Sequence, residues 1–253
     1  MQPYIHHQLE HDLRYPTIMV PIILELLNPK SVIDVGCGPG NFLKVFQDLG
    51  IDDVFGVDGS WVKEDTLYVD KQNFNAIDLT AGFDVKRKFD IALCLEVAEH
   101  LPEKSANALV SSLCQHTDMI VFSAAVPLQG GQNHINEQPF SYWREKFEHL
   151  GYHWIDCFRP LLWEIPELAW WYKQNTFLIA KNPTQLNLKR LNDNLSNAVQ
   201  IHPDLFQERD TRLNSQLTHY RELYDAVLEG KFQTSTYLKC IRKHIMRKLK
   251  LIK

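Results

Sequence analysis

The chain has 253 residues, 45% of them hydrophobic and 23% charged, which is enough for one substantial domain with an appendage. It contains no run of 18 apolar residues, so no membrane-spanning helix is expected, and its first residues lack the basic and apolar regions of a secretory signal, so a cytoplasmic location is expected. The net charge of −4 is uneven: residues 237–253 carry seven Lys and Arg and no acid, which leaves −11 for the rest and disfavours a nucleic-acid partner for the body.

Taken in chain order, residues 15–28 are predicted to form a helix, with Ile18, Val20, Ile22, Ile23 and Leu26 as its apolar positions. Residues 32–35 follow as a buried strand. Gly36-Cys37-Gly38-Pro39-Gly40 then makes a tight turn into a helix over 41–49. Such a turn lets a ligand approach the backbone closely. The spacing is Asp-x-Gly-x-Gly-x-Gly rather than the Gly-x-Gly-x-x-Gly of dinucleotide sites. Asp34, just before the glycines, disfavours a pyrophosphate and suits a cationic or zwitterionic ligand. Five scattered cysteines (37, 94, 114, 157, 240) have no zinc-type spacing and read as reduced thiols.

Further strands are predicted at 54–57, 75–79, 89–95, 118–123, 153–158 and 176–180, with helices at 103–115 and 138–150. This alternation predicts an α/β fold: a seven-stranded, mostly parallel sheet with right-handed crossovers. About 17 residues join the last two strands, so a hairpin is the simplest connection and the last strand is expected to run antiparallel. Residues 1–182 are assigned to this domain and 183–253 to a helical C-terminal extension. Within the extension, 204–229 reads as a polar helix stopped at Gly230. Residues 237–253 read as a basic amphipathic helix with Leu238, Ile241, Ile245, Leu249 and Ile252 on one stripe. Such a helix suits peripheral contact with anionic headgroups, and equally a dock on the body or a partner.

With the glycine turn on its first strand, the pattern resembles class I S-adenosylmethionine-dependent methyltransferases across residues 14–182, with a Rossmann-like fold. The resemblance implies that the turn, Asp34, Gly36, Cys37 and Gly38, cradles S-adenosylmethionine. It places Asp58 and Gly59, after Val54-Phe55-Gly56-Val57, at the ribose hydroxyls, where one carboxylate can accept two vicinal donors. It places Asp78 and Leu79 at the adenine and Leu95 at the end of the fourth strand. Each acid also has a plain structural reading, as a turn cap or a solvated loop residue.

Phe89–Leu95 runs straight into Glu96-Val97-Ala98-Glu99-His100-Leu101-Pro102, at the strand edge where open α/β sheets bind ligands. If 96–100 is a helical turn, Glu96, Glu99 and His100 share a face. After the fifth strand comes Gly130-Gly131-Gln132-Asn133-His134-Ile135-Asn136-Glu137-Gln138, which returns His134 to the same edge. Two carboxylates and two imidazoles make a plausible site for Mg²⁺ or Mn²⁺ with open positions. The Glu-x-x-Glu-His pattern with a later His resembles the metal site of small-RNA 2′-O-methyltransferases and looks like ubiquinone-pathway O-methyltransferases. Three readings stand side by side: a metal held by Glu96, Glu99, His100 and His134; metal-free base catalysis by His134 or His100, with Glu96 assisting; and purely structural histidines.

Five of the six tryptophans fall in 143–171, and 159–175 is an aromatic insertion between the last two strands. Trp143, Trp163, Trp170 and Trp171, with Asn136 and Glu137, are candidate acceptor residues. The alternative is a packed cap or dimer contact. Gly130-Gly131-x-x-His134-x-Asn136-Glu137-Gln138 followed by Tyr142-Trp143 also resembles methyltransferases of polysaccharide and lipopolysaccharide gene clusters. The expectation is therefore an O-methyltransferase acting on a sugar hydroxyl of a glycan or its precursor. RNA ribose methylation, a phenolic acceptor, and a cofactor-binding partner subunit without catalysis are the alternatives.

Overall fold

The computed structural model describes residues 12–183, 201–231 and 239. The amphipathic segment expected at 237–253 and the connection 184–200 lie outside these residues, Lys239 excepted. The chain forms two compact units, Met1–His202 and Pro203–Lys253. No helix among the described residues is long and apolar enough to cross a membrane.

The first unit is a seven-stranded sheet in the order β3-β2-β1-β4-β5-β7-β6. Its elements are α1 (Arg14–Leu27), β1 (Ser31–Val35), α2 (Asn41–Asp48), β2 (Asp53–Asp58), β3 (Phe74–Ala76), β4 (Ile91–Leu95), α3 (Ala106–His116), β5 (Met119–Ser123), α4 (Phe140–Glu148), β6 (His153–Ile155), α5 (Arg159–Leu162), α6 (Trp170–Asn175) and β7 (Phe177–Ala180). Strands β3, β2, β1, β4 and β5 pair in parallel, while β7 runs antiparallel to both β5 and β6. The Rossmann-like arrangement and the antiparallel last strand are thus as the sequence leads one to expect. Strands β1 and β4 are buried along almost their whole length, as continuous apolar runs in a sheet covered on both faces require.

Three expected elements are shorter than their apolar runs. The strand expected at 75–79 ends at Ala76, because Asp78 instead caps a 3-10 turn over Leu79–Ala81. The helix expected from 103 begins with a separate 3-10 turn over Glu103–Ser105. The strand expected at 153–158 stops at Ile155, where Cys157 and Phe158 turn into the core.

The core lies on the two faces of the sheet, one cluster under α3 and α4, the other under α1 and α2. At one place it meets the glycine turn. Gly36 has φ +79°, and a Cβ there would fall 2.4 and 2.7 Å from the two methyls of Val97. The segment after β4 therefore leans directly on the turn after β1. Gly36→Ala adds left-handed strain to an overpacked contact and is expected to cost about 2–4 kcal/mol. Thermal denaturation should show the midpoint falling by roughly 5–15 °C.

Candidate active site

The turn after β1 is tied to the neighbouring strand. The Gly36 N–H donates to the Val57 carbonyl at 2.7 Å. The Gly38 N–H donates to Asp58 Oδ2 at 2.7 Å, and the Gly59 N–H to Asp58 Oδ1 at 2.6 Å. A backbone donor on each oxygen orients the Asp58 carboxylate. Asp34 and Asp58 are both buried. Burial, with the Asp58 charge second, pushes the Asp34 carboxyl up to about 8. A buried acid of this kind regains its charge when a cation arrives. The Cys37 thiol is pushed well above its usual value by burial and by the two acids, and it donates to the Gly38 carbonyl at 3.3 Å; it is packing, not a nucleophile.

At the far side of the turn, the Trp61 ring lies against Gly59, where a Cβ would meet it at 2.2 Å. Leu79 is buried, while Asp78 is exposed and accepts the Thr80 N–H at 2.9 Å; the Thr80 hydroxyl, and then this N–H, hold its carboxyl below the usual range. Leu95 is partly buried at the end of β4. The two buried acids, the backbone donors of the turn and the glycine approach fit a cationic nucleoside ligand such as S-adenosylmethionine.

The chain leaves β4 in an unusual way. Glu96 has φ +55°, a left-handed conformation rarely adopted by a side-chain-bearing residue. Its N–H donates to the Ser123 carbonyl at 3.1 Å and the Ser123 hydroxyl at 3.0 Å. The expected shared helical face does not form: only Ala98–His100 makes a 3-10 turn, and Glu96 stands outside it. The Glu96 carboxylate instead accepts from Gln129 Nε2 at 3.1 Å and Asn175 Nδ2 at 3.2 Å. A metal-ligand role for Glu96 is thereby corrected. The donor atoms that converge belong to Glu99, His100 and His134, all within 4.8 Å of one another.

Glu99 is fully buried; the backbone N–H groups of Glu99 and Ala125 face its carboxyl, but neither oxygen completes a hydrogen bond of ordinary geometry. Burial, then the Glu96 carboxylate beside it, pushes Glu99 well above the usual range; burial also raises Glu96. The Glu99 backbone carbonyl accepts the N–H groups of Ile135 at 2.9 Å and Asn136 at 3.0 Å. These two bonds dock the loop after β5 onto the turn after β4. The His100 and His134 rings meet edge to face, with centroids 4.9 Å apart. Burial and the neighbouring His134 push His100 down to about 4, so it is neutral at pH 7.

His134 is oriented by Glu137. Its Nδ1 lies 3.0 Å from Glu137 Oε1, while the Gly130 and Leu128 N–H groups donate to the same carboxylate at 2.6 and 2.7 Å. A carboxylate so held favours the tautomer in which Nδ1 carries the proton, leaving the Nε2 lone pair available. Glu137, expected at the acceptor, is thus committed to His134. A Cβ on Gly131 would fall 2.2 Å from Nε2.

The acceptor candidates divide. Trp143 is 1% exposed and packs with Phe122 and Phe147 beneath the sheet; α4 turns it inward, so it is a core residue and not an acceptor contact. Asn136 is buried, accepting from Gln138 Nε2 at 2.9 Å. Trp163 lies against the His202 ring, tilted by 55° with centroids 4.6 Å apart, and Trp170 is buried. Trp171 remains partly exposed in an aromatic group with Tyr15 and Tyr172. Tyr172 reaches Phe42, just after the glycine turn, while Asn175 on the same helix reaches Glu96. Helix α6 therefore spans from the turn to the carboxylates. Gln129, Asn175 and Tyr15 are not legible as site residues in the sequence, because only the tertiary fold brings them there.

Glu99, His100 and His134 are the residues that could hold a divalent cation. A sealed carboxylate lacking good hydrogen bonds, beside one neutral imidazole and a second with an oriented Nε2, is a donor set that a small cation completes.

No curated protein matches the sequence. Among solved structures, the chain is similar to the methyltransferase domain of bacterial CtHen1 (20% identity, 66% of this chain and 95% of that one, TM-score 0.47). It is also similar to DesVI from Streptomyces venezuelae (13%, 66% and 91%, TM-score 0.49) and to magnesium protoporphyrin IX methyltransferase from Synechocystis with bound S-adenosylmethionine (17%, 71% and 86%, TM-score 0.48). The family model described as a methyltransferase domain matches residues 5–175, well over half of the chain. The chain belongs to that family, and it is an S-adenosylmethionine-dependent methyltransferase.

Proposed function

We propose that the protein is an O-methyltransferase for a sugar hydroxyl, assisted by a divalent cation, Mg²⁺ or Mn²⁺, held by Glu99, His100 and His134. The observation that carries this reading is the buried Glu99 carboxylate within 4.8 Å of two imidazole donors. Asp58 would hold the ribose hydroxyls, Asp34 would face the cationic portion of the cofactor, and Asp78 with Leu79 would border the adenine. When bound, the cofactor would supply its sulfonium methyl group to the acceptor oxygen, the C–S bond breaking as the C–O bond forms, with the neutral thioether as leaving group and the hydroxyl proton passing to a base. The cation supplies a Lewis acid that makes a bound hydroxyl more acidic.

The chain's own part is orientation and proton handling. Glu137 fixes the His134 tautomer, so that Nε2 can serve as a ligand or take the hydroxyl proton. Glu96, clamped by Gln129 and Asn175, places a second carboxyl beside Glu99. Partly exposed Trp171, Tyr15 and Tyr172 offer flat apolar faces suited to the C–H face of a sugar ring, and α6 carries two of them toward the carboxylates. The acidic body favours such an acceptor over a polyphosphate chain.

Metal binding must displace the proton that burial keeps on Glu99, so Mn²⁺ affinity should rise with pH and calorimetry in buffers of different ionisation enthalpy should show proton release. An affinity flat in pH would remove Glu99 as a ligand. In acceptor screens read by a methyl mass increment, glycosides and glycan fragments should be methylated at a hydroxyl; modification of catechols or RNA alone would overturn the sugar reading.

A further inference from the structure

The second unit carries α7 (Pro203–Leu228), a 26-residue helix. At 1.5 Å per residue it is about 39 Å long. Phe206, Leu213, Leu217, Tyr220 and Tyr224 are each more than half exposed. Their spacings of 7, 4, 3 and 4 are the a and d positions of a heptad repeat, with Asp210 filling the remaining a position. Glu208, Ser215 and Glu222 lie on the opposite face. A seam this regular, on a helix over three heptads long, is built for another helix.

We propose that α7 pairs with α7 of a second copy of this chain, in antiparallel orientation. Three features select that occupant and that orientation. A parallel pair would set Asp210 against the partner's Asp210, and each tyrosine against its own copy. An antiparallel pair with residue i opposite 437 − i sets Leu213 against the partner's Tyr224 and Leu217 against the partner's Tyr220, so every such layer joins one large and one smaller side chain. The same register brings Asp210 within a turn of the partner's Lys231, and the helix dipoles oppose. In this register Asp210 faces the partner's Val227 and Phe206 falls opposite the partner's Lys231, past the helix end, so Leu213, Leu217, Tyr220, Tyr224 and Val227 of each helix, at roughly 80–100 Å² each, bury about 900 Å² in total, at the weak end of specific interfaces. A dimer in the micromolar range is therefore expected. Flanking Gln207, Arg209, Asn214, Gln216 and Arg221 place no like charges opposite one another in this register.

Light scattering and sedimentation of the full chain test this. At tens of micromolar the mass should be twice 29.5 kDa. Leu217→Glu with Tyr220→Glu should give a monomer that still binds S-adenosylmethionine, because both side chains stand exposed on the second unit. The double variant Leu213→Cys with Tyr224→Cys should form an interchain disulfide under mild oxidation, and neither single variant should. A monomeric wild type, a dimer that survives the two glutamates, or crosslinking by the single variants would each overturn the proposal. So would dimerisation that appears only after residues 237–253 are removed, since the tail would then cover the seam.

Discussion

Glu99→Gln should abolish Mn²⁺ binding and lower methyl transfer by about a hundredfold or more, while S-adenosylmethionine still binds. The substitution keeps the shape of a fully buried side chain and removes its charge. It should also stabilise the metal-free protein. Burial and Glu96 raise the folded-state pKa of Glu99 above its unfolded value. Above the ordinary carboxylate range the unfolded chain ionises freely, while the folded chain must keep the proton or bear a desolvated charge. This group therefore weakens the fold increasingly as pH rises through the interval between the two pKa values. Asp34, raised to about 8, acts in the same sense. The gap in melting temperature between Glu99→Gln and the wild type should widen from pH 5 toward pH 8 and close when Mn²⁺ is added. A variant that still binds the ion with wild-type affinity would show that the cluster is not a metal site.

Gly131→Ala should lower kcat by about a hundredfold, with unchanged cofactor affinity and a loss of stability of about 1–3 kcal/mol from the overpacked contact. Gly131 is exposed and is not among the left-handed glycines, so alanine costs its backbone little. The added methyl would fall 2.2 Å from His134 Nε2 and 2.4 Å from Cε1. The imidazole cannot simply swing aside, because Nδ1 is bound to a Glu137 carboxylate pinned by the N–H groups of Leu128 and Gly130. If the loss acts through His134, His134→Ala combined with Gly131→Ala will be no slower than His134→Ala alone. Additive losses would mean that the glycine serves something other than the imidazole.

Much of this arrangement is local in origin and therefore legible in the amino-acid sequence. The glycine turn, the strand alternation and the antiparallel β7 follow from short-range pattern and connection length. The meeting of His100 with His134 follows from β4 and β5 ending on one edge. Side-chain direction is harder to read. Spacing alone puts Glu96 on a helical face, but a left-handed residue after the strand sends its carboxylate to Gln129 and Asn175. Composition groups Trp143 with the acceptor aromatics, although Phe147 one turn on shares its buried face. Position groups Glu137 with them too, yet its neighbours along the chain supply the backbone donors that commit it to His134. Gln129 and Asn175 leave no signal, because amides 46 residues apart become partners only through the α6 connection.

The proposed site makes methyl transfer depend on a cation held by Glu99, His100 and His134. The most direct measurement is turnover with labelled S-adenosylmethionine and a glycan acceptor, on enzyme stripped with EDTA and then titrated with Mn²⁺. Stripping should remove activity without removing cofactor binding, and activity should return in step with one bound Mn²⁺ per chain. Full activity in EDTA would contradict the metal site and leave the oriented His134 as a metal-free base.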